Sequence, residues 1–120
     1  MKVINRIKAN DDFALAIKKG KTYNCSSYRI HVIANELGYT RVGISVSKKI
    51  GNAVVRSRVK RQIRAICDSV IIYDKQALDI VIIARNEFLN KTFADNKSEF
   101  INLVNLQVGL NKWKKVQKLV

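Results

Sequence analysis

The chain has 120 residues, 23 of them Lys or Arg and 9 Asp or Glu, for a formal net charge of +14. With 48 % hydrophobic residues, no proline and only five glycines, it can bury one core and offers no linker at which to divide it, so a single domain over residues 1–120 is expected. The longest apolar run, residues 80–84, is far short of the ~20 residues of a membrane-spanning helix, and residues 1–6 carry no apolar leader segment; the expected location is the cytoplasm, without a membrane partner.

A surplus of positive charge calls for a polyanion, with nucleic acid or an anionic surface ahead of an acidic protein. Cys25 and Cys67 read as reduced thiols packed as small hydrophobes. Together with one histidine they fall short of the four ligands of a zinc site, so no protein-borne metal is expected.

The first element is a short helix. Asn10 precedes Asp11-Asp12-Phe13-Ala14-Leu15-Ala16-Ile17-Lys18-Lys19-Gly20, which places a cap and two acids at one end, two lysines at the other and a glycine for a left-handed stop. Phe13 and Ile17 stand one turn apart, and spacing alone favours a core position for Phe13. Residues 22–24 suit a very short strand. Residues 28–33 and 41–47 alternate apolar and polar, and the turn residues 35–39 between them predict an antiparallel pair. Residues 53–70 form a second helix in which Val55, Val59, Ile63, Ile66 and Val70 fall within about 80° of one another. The nearly unbroken apolar, β-branched run 78–84 belongs in the sheet centre. A third helix starts at Thr92, with Phe93, Phe100, Leu103, Val104 and Val108 expected to be buried. A basic tail at about 110–120, with Lys112, Lys114, Lys115 and Lys118 beside Trp113, follows.

The charge is concentrated. Between Leu37 and Cys67 there is no acid but eight cations: Arg41, Lys48, Lys49, Arg56, Arg58, Lys60, Arg61 and Arg64. Measured from Val55, Arg56, Lys60 and Arg64 lie at about 100°, 140° and 180°, Arg61 at about 240° and Arg58 at about 300°, all off the core face. The first three repeat every fourth residue, a ladder with steps of ~6 Å that can follow a phosphate backbone. Like charges at this spacing repel unless an anion is present, and no acid interleaves them. Ser57 adds a hydroxyl within that face, and the Gly51-Asn52 turn lets backbone amides approach an anion. His31, off the core side of its strand, could stack on an unpaired base. With no carboxylate or nucleophile placed beside it by sequence, a catalytic role is not expected.

Residues 41–64, Arg-Val-Gly-Ile-Ser-Val-Ser-Lys-Lys-Ile-Gly-Asn-Ala-Val-Val-Arg-Ser-Arg-Val-Lys-Arg-Gln-Ile-Arg, closely resemble the signature of the bacterial ribonuclease P protein family. Agreement extends to Asn5-Arg6-Ile7-Lys8, Asp12-Phe13 and Ile82-Ile83-Ala84-Arg85, over about residues 4–108. The resemblance implies an α+β fold, a two-layer α/β sandwich of order αβββαβα whose four-stranded central sheet has a left-handed βαβ crossover. It further implies a subunit that binds a catalytic RNA and the 5′ leader of precursor tRNA. The RNA performs the magnesium-dependent cut that matures the tRNA 5′ end, so no catalytic residue and no cofactor belongs to the protein, and the magnesium is bound by the RNA.

By the same resemblance Lys48, Lys49, Asn52, Arg56, Ser57, Arg58, Lys60, Arg61 and Arg64 form the basic RNA-binding motif. Phe13, Ile17, His31 and Arg85 line the leader cleft, which moves Phe13 from core to cleft. Ser57 stands where the family usually has Asn, and Ile17 where it often has a second aromatic residue. Three rivals remain. A structural, ribosomal-type RNA-binding protein would share the charge but need no cleft. A DNA-binding module reading a major groove would need a helix just before residue 53, where the sequence reads as strand. An autonomous nuclease would want clustered carboxylates for metal ions.

Overall fold

A computed structural model describes residues 1–106; the expectations for Val108 and for the basic tail lie outside the described residues. The elements run α1 (Asn10–Lys19), β1 (Lys21–Asn24), β2 (Tyr28–Ala34), β3 (Arg41–Ser45), α2 (Ala53–Val70), β4 (Leu78–Ala84) and α3 (Phe93–Leu106), with short 3-10 turns at Val3–Asn5 and Asn86–Asn90. This is the expected α+β order. Among the described residues no helix is long and apolar enough to cross a membrane.

The four strands lie in the order β1-β2-β4-β3. β1 and β2 are antiparallel, as are β2 and β4, whereas β3 runs parallel to β4 and reaches it through α2. The expected β2–β3 hairpin is therefore not formed, because β4 separates the two strands. The reason lies in β4 itself: it is buried on both faces and in the sheet centre, so it takes a neighbour on each side. The link from β2 to β3 is instead tied to the loop before β4, through Asn35 N–H to Ala77 O (2.9 Å), Thr40 N–H to Tyr73 O (2.8 Å) and Thr40 Oγ1 to Gln76 O (2.7 Å). The outer edge of β3 is covered by the N-terminal segment, where Arg6 bridges Val42 and Ile7 N–H donates to Val42 O at 3.0 Å.

Alternation sorts the side chains onto two faces. Tyr28, Ile30, Val42, Ile80, Ile82 and Ala84 face α2 and α3, where Val59, Ile63, Ile66 and Val70 of α2 meet Phe100, Leu103 and Val104 of α3. Tyr28 packs edge-on to Phe88 and Phe100 (centroids 5.7 and 5.8 Å) and donates its hydroxyl to Asn96 O at 2.8 Å. Cys67 is buried in this core and Cys25 packs against it, both as free thiols. On the opposite face Ile7, Ala16 and Val81 form a smaller cluster with Phe13, Ile33 and Ile83 beneath α1.

Three local expectations change. α1 begins at Asn10 itself, after Ala9 and without a side-chain cap, and Gly20 is extended (φ −76°, ψ 166°) instead of left-handed. Gly20 meets a demand for space, since a β-carbon there would stand 2.5 Å from Ala16 O and 2.8 Å from Val32 O. Thr92 does cap α3, accepting from Asp95 N–H at 3.1 Å, but Phe93 is 43 % exposed. The buried face of α3 starts one turn later, at Asn96, which fills its place with two hydrogen bonds: Ser27 Oγ donates to its Oδ1 (2.7 Å) and its Nδ2 donates to Phe88 O (3.0 Å).

Candidate nucleic-acid interface

α2 is fixed at its start by Asn52, whose Oδ1 accepts from Val55 N–H at 3.0 Å. The side-chain oxygen of Asn52 is thus a helix cap. From there Val59, Ile63, Ile66 and Val70 point into the core, while Ser57, Arg58 and Arg61 are exposed and Arg56, Lys60 and Arg64 half-buried. Arg56 donates to Gly51 O at 2.9 Å, which closes the turn ahead of the helix. Lys48 and Lys49 stand exposed on that turn, anchored by buried Ile50. Among the described residues, the ion pairs join the Met1 amine to Asp68, Arg41 to Asp12 and Asp79, and Lys91 to Glu99. No cation of α2 takes part in one.

Arg41 departs from the other seven cations of the acid-free stretch. It donates from Nε to Asp79 Oδ1 (2.9 Å) and from Nη2 to Asp79 Oδ2 (2.6 Å), and its Nη1 lies 3.4 Å from Asp12. Asn35 Nδ2 adds a bond of 2.8 Å to the same Asp79 oxygen. The bonds that Arg41 donates to Asp79, with Asp12 contributing, hold the guanidinium above its ordinary range despite burial. Arg41 is therefore committed to tying β3, β4 and α1 together. The same contact bears on the nuclease reading, because Asp12 and Asp79 both meet Arg41.

The α1 side of the sheet leaves a cleft. The Phe13 ring rests on Gly43 of β3, where a β-carbon would come within 2.5 Å of its Cζ. Beside this contact a cavity of about 100 Å³ is lined by Arg6, Phe13, Gly43, Lys60 and Arg64 among others, so the ring on α1 and two rungs of the α2 ladder open onto one space. Ile17, one turn on, is 45 % exposed. His31 lies on the expected face, in the row Thr22–His31–Val81–Gly43, but is only 5 % exposed. Its Nδ1 is 2.9 Å from Thr22 Oγ1, and burial, aided by the charge of Arg29, lowers its pKa below the ordinary value. It is a floor residue with little ring surface to offer a base, which corrects the stacking expectation.

Arg85 is exposed at the end of β4, 3.4 Å from Asn24 Oδ1. Sequence reasoning passes over Arg29. Its signal is present in the alternation, since Arg29 is one step of two from His31 and therefore shares its face.

An aromatic ring beside a cavity rimmed by cations suits splayed single-stranded bases, whereas the deep major groove of duplex RNA would admit none of these side chains. The fold is that of a small α+β protein with one strongly basic surface. A family model described as Ribonuclease P matches residues 1–106, and the chain belongs to that family. It is 44 % identical over 99 residues to the ribonuclease P protein component of Mesoplasma florum, covering 82 % of this chain and 90 % of that one. With the component from Clostridium novyi it shares 40 % identity over 110 residues, 87 % of this chain and 94 % of that one. The solved structure of the Staphylococcus aureus RNase P protein superposes with a TM-score of 0.78 at 34 % identity, covering 89 % of this chain and 98 % of that one. The family's role is tRNA 5′ maturation: its members are protein components of an endoribonuclease, work with an RNA subunit and bind precursor tRNA.

Proposed function

We propose that the basic face of α2 and the turn before it (Lys48, Lys49, Arg56, Arg58, Lys60, Arg61, Arg64) hold the catalytic RNA, that the α1 cleft takes the 5′ leader of precursor tRNA, and that Lys60 and Arg64 stand where the two surfaces meet. The observation that carries this reading is the shared cavity, in which Phe13 on α1 faces Lys60 and Arg64 on α2. A base stacked on an aromatic ring contributes about 1–3 kcal/mol whatever its identity, which suits leaders of varied sequence. Adjacent cations neutralise the phosphates that carry that base past the ring.

In this reading the protein positions the substrate and screens the charge that two RNAs bring together, and the magnesium ions and the bond cleavage belong to the RNA. The site of action is the cytoplasm. A ribosomal-type structural role would leave the cleft without an occupant, and a groove-reading DNA module lacks its supporting helix, because β3 precedes α2.

Reconstitution tests the proposal. Adding this protein to its catalytic RNA lowers the magnesium concentration needed to cleave a leader-bearing precursor tRNA; an unchanged magnesium requirement overturns it. The isolated protein, with substrate and magnesium, makes no specific cut.

A further inference from the structure

Asn24, Arg29 and Arg85 come together at the end of the sheet where β2 begins and β4 ends. Asn24 Oδ1 accepts from Arg29 Nε at 3.1 Å and from Arg85 Nη1 at 3.4 Å. All three residues are exposed, and among the described residues neither guanidinium has a carboxylate partner. Two like charges converging on one neutral oxygen repel each other, and an anion between them removes that repulsion. Arg29 uses Nε to hold its place, which leaves both terminal nitrogens for a phosphate. In register, Asn24, Arg29, Ile83 and Ser45 form one row across the sheet, polar at both ends, beside the row that carries His31 and Gly43.

We propose that Arg29, held by Asn24 beside the cleft residue Arg85, adds a phosphate subsite for single-stranded RNA that lengthens the leader cleft from β3 toward β1. The inference rests on the leader-binding reading and adds a second contact point to it. Two strand spacings sideways and two residues along the strand separate Arg29 from Gly43, about 12 Å by sheet geometry. A leader that ends at Phe13 therefore stops short of Arg29, and only a longer one gains the subsite.

The test uses the reconstituted holoenzyme and precursor tRNAs with leaders of graded length. The wild-type affinity must first rise with leader length; if it is flat, the leader-binding reading itself fails. Given that rise, Arg29→Gln weakens binding roughly three- to tenfold for leaders beyond a threshold length and leaves shorter ones unchanged. Its slope of log affinity against log salt is shallower by about 0.7, the value for one phosphate contact on a single strand. Arg29→Lys restores most of the loss. A neutral methylphosphonate at one leader position removes the difference between wild type and Arg29→Gln. The subsite is refuted if Arg29→Gln matches wild type at every length while wild type remains length-dependent. It is equally refuted if the variant weakens binding of the catalytic RNA without substrate by the same factor, which would assign Arg29 to the subunit contact.

Discussion

The ring of Phe13 lies so close over Gly43 that a β-carbon at position 43 would stand 2.5 Å from Cζ and 2.8 Å from Cε1. Glycine at this point of β3 lets an aromatic residue of α1 sit against the sheet beside the cavity shared with Lys60 and Arg64. Gly43→Ala pushes the ring aside, at an expected cost of about 1–3 kcal/mol. Denaturant unfolding checks this with a double-mutant cycle. In a Phe13→Ala background the glycine substitution costs much less, and strictly additive effects would show that the contact does not matter.

The close Arg41–Asp79 pair and the outlying Asp12 differ in how much change they tolerate. Asp79 is 5 % exposed and receives bonds from Arg41 and Asn35. Arg41→Met leaves a buried carboxylate without its cation and is expected to destabilise by about 3–5 kcal/mol. Asp12→Asn removes only the longer, more exposed pair at 3.4 Å and costs about 1 kcal/mol or less. Equal losses in urea unfolding would contradict this ranking.

Glu99 on α3 predicts an acid transition. Partial burial alone would raise its pKa, but hydrogen bonds from Lys91, Cys25, Ser26 and the Ser27 backbone bring it from 4.5 down to about 2. A carboxylate held lower in the folded state contributes stability that is complete above the unfolded value and lost as pH falls through the folded one. The Glu99 contribution is therefore intact above about pH 4.5 and disappears toward pH 2. Glu99→Gln removes that part of the pH dependence, as read from unfolding free energies between these limits; an unaltered profile would place the acid sensitivity elsewhere.

The cations of α2 have no carboxylate partners among the described residues, so reversing two of them costs the fold little beyond the Arg56 bond to Gly51 O while binding falls. Arg56→Glu with Lys60→Glu is expected to weaken binding to the catalytic RNA at least tenfold and to flatten its salt dependence, the slope falling by roughly one for each phosphate no longer neutralised. Retention of both affinity and slope would remove this face from the interface.

Much of this was legible in the sequence. The apolar stripe of α2 with its off-core cations and the two-faced burial of β4 are local patterns that the structure reproduces, whereas the alternation of β2 and β3 gives the faces but not the burial, since His31 and Gly43 on the second face are buried too. What escaped was long-range. Alternation identifies which face of a strand is apolar but not which strand lies alongside, so the short turn at 35–39 suggested a hairpin that β4 interrupts. Arg41 looked like its basic neighbours because its partners, Asp12 and Asp79, are distant in sequence. Asn96 was invisible as a core residue, since its burial depends on Ser27 and the Phe88 carbonyl arriving from other elements.

The insertion of β4 between β2 and β3 also orders events during synthesis. A chain made from its N-terminus completes β1, β2, β3 and the whole of α2 before the strand that unites them exists. Until residue 84 has emerged, β2 and β3 lack their shared neighbour, and the apolar stripe of α2 has only a partial surface to cover. The charged helix is thus synthesised ahead of the strand that joins β2 to β3, and the core that its apolar stripe faces closes only when α3 follows.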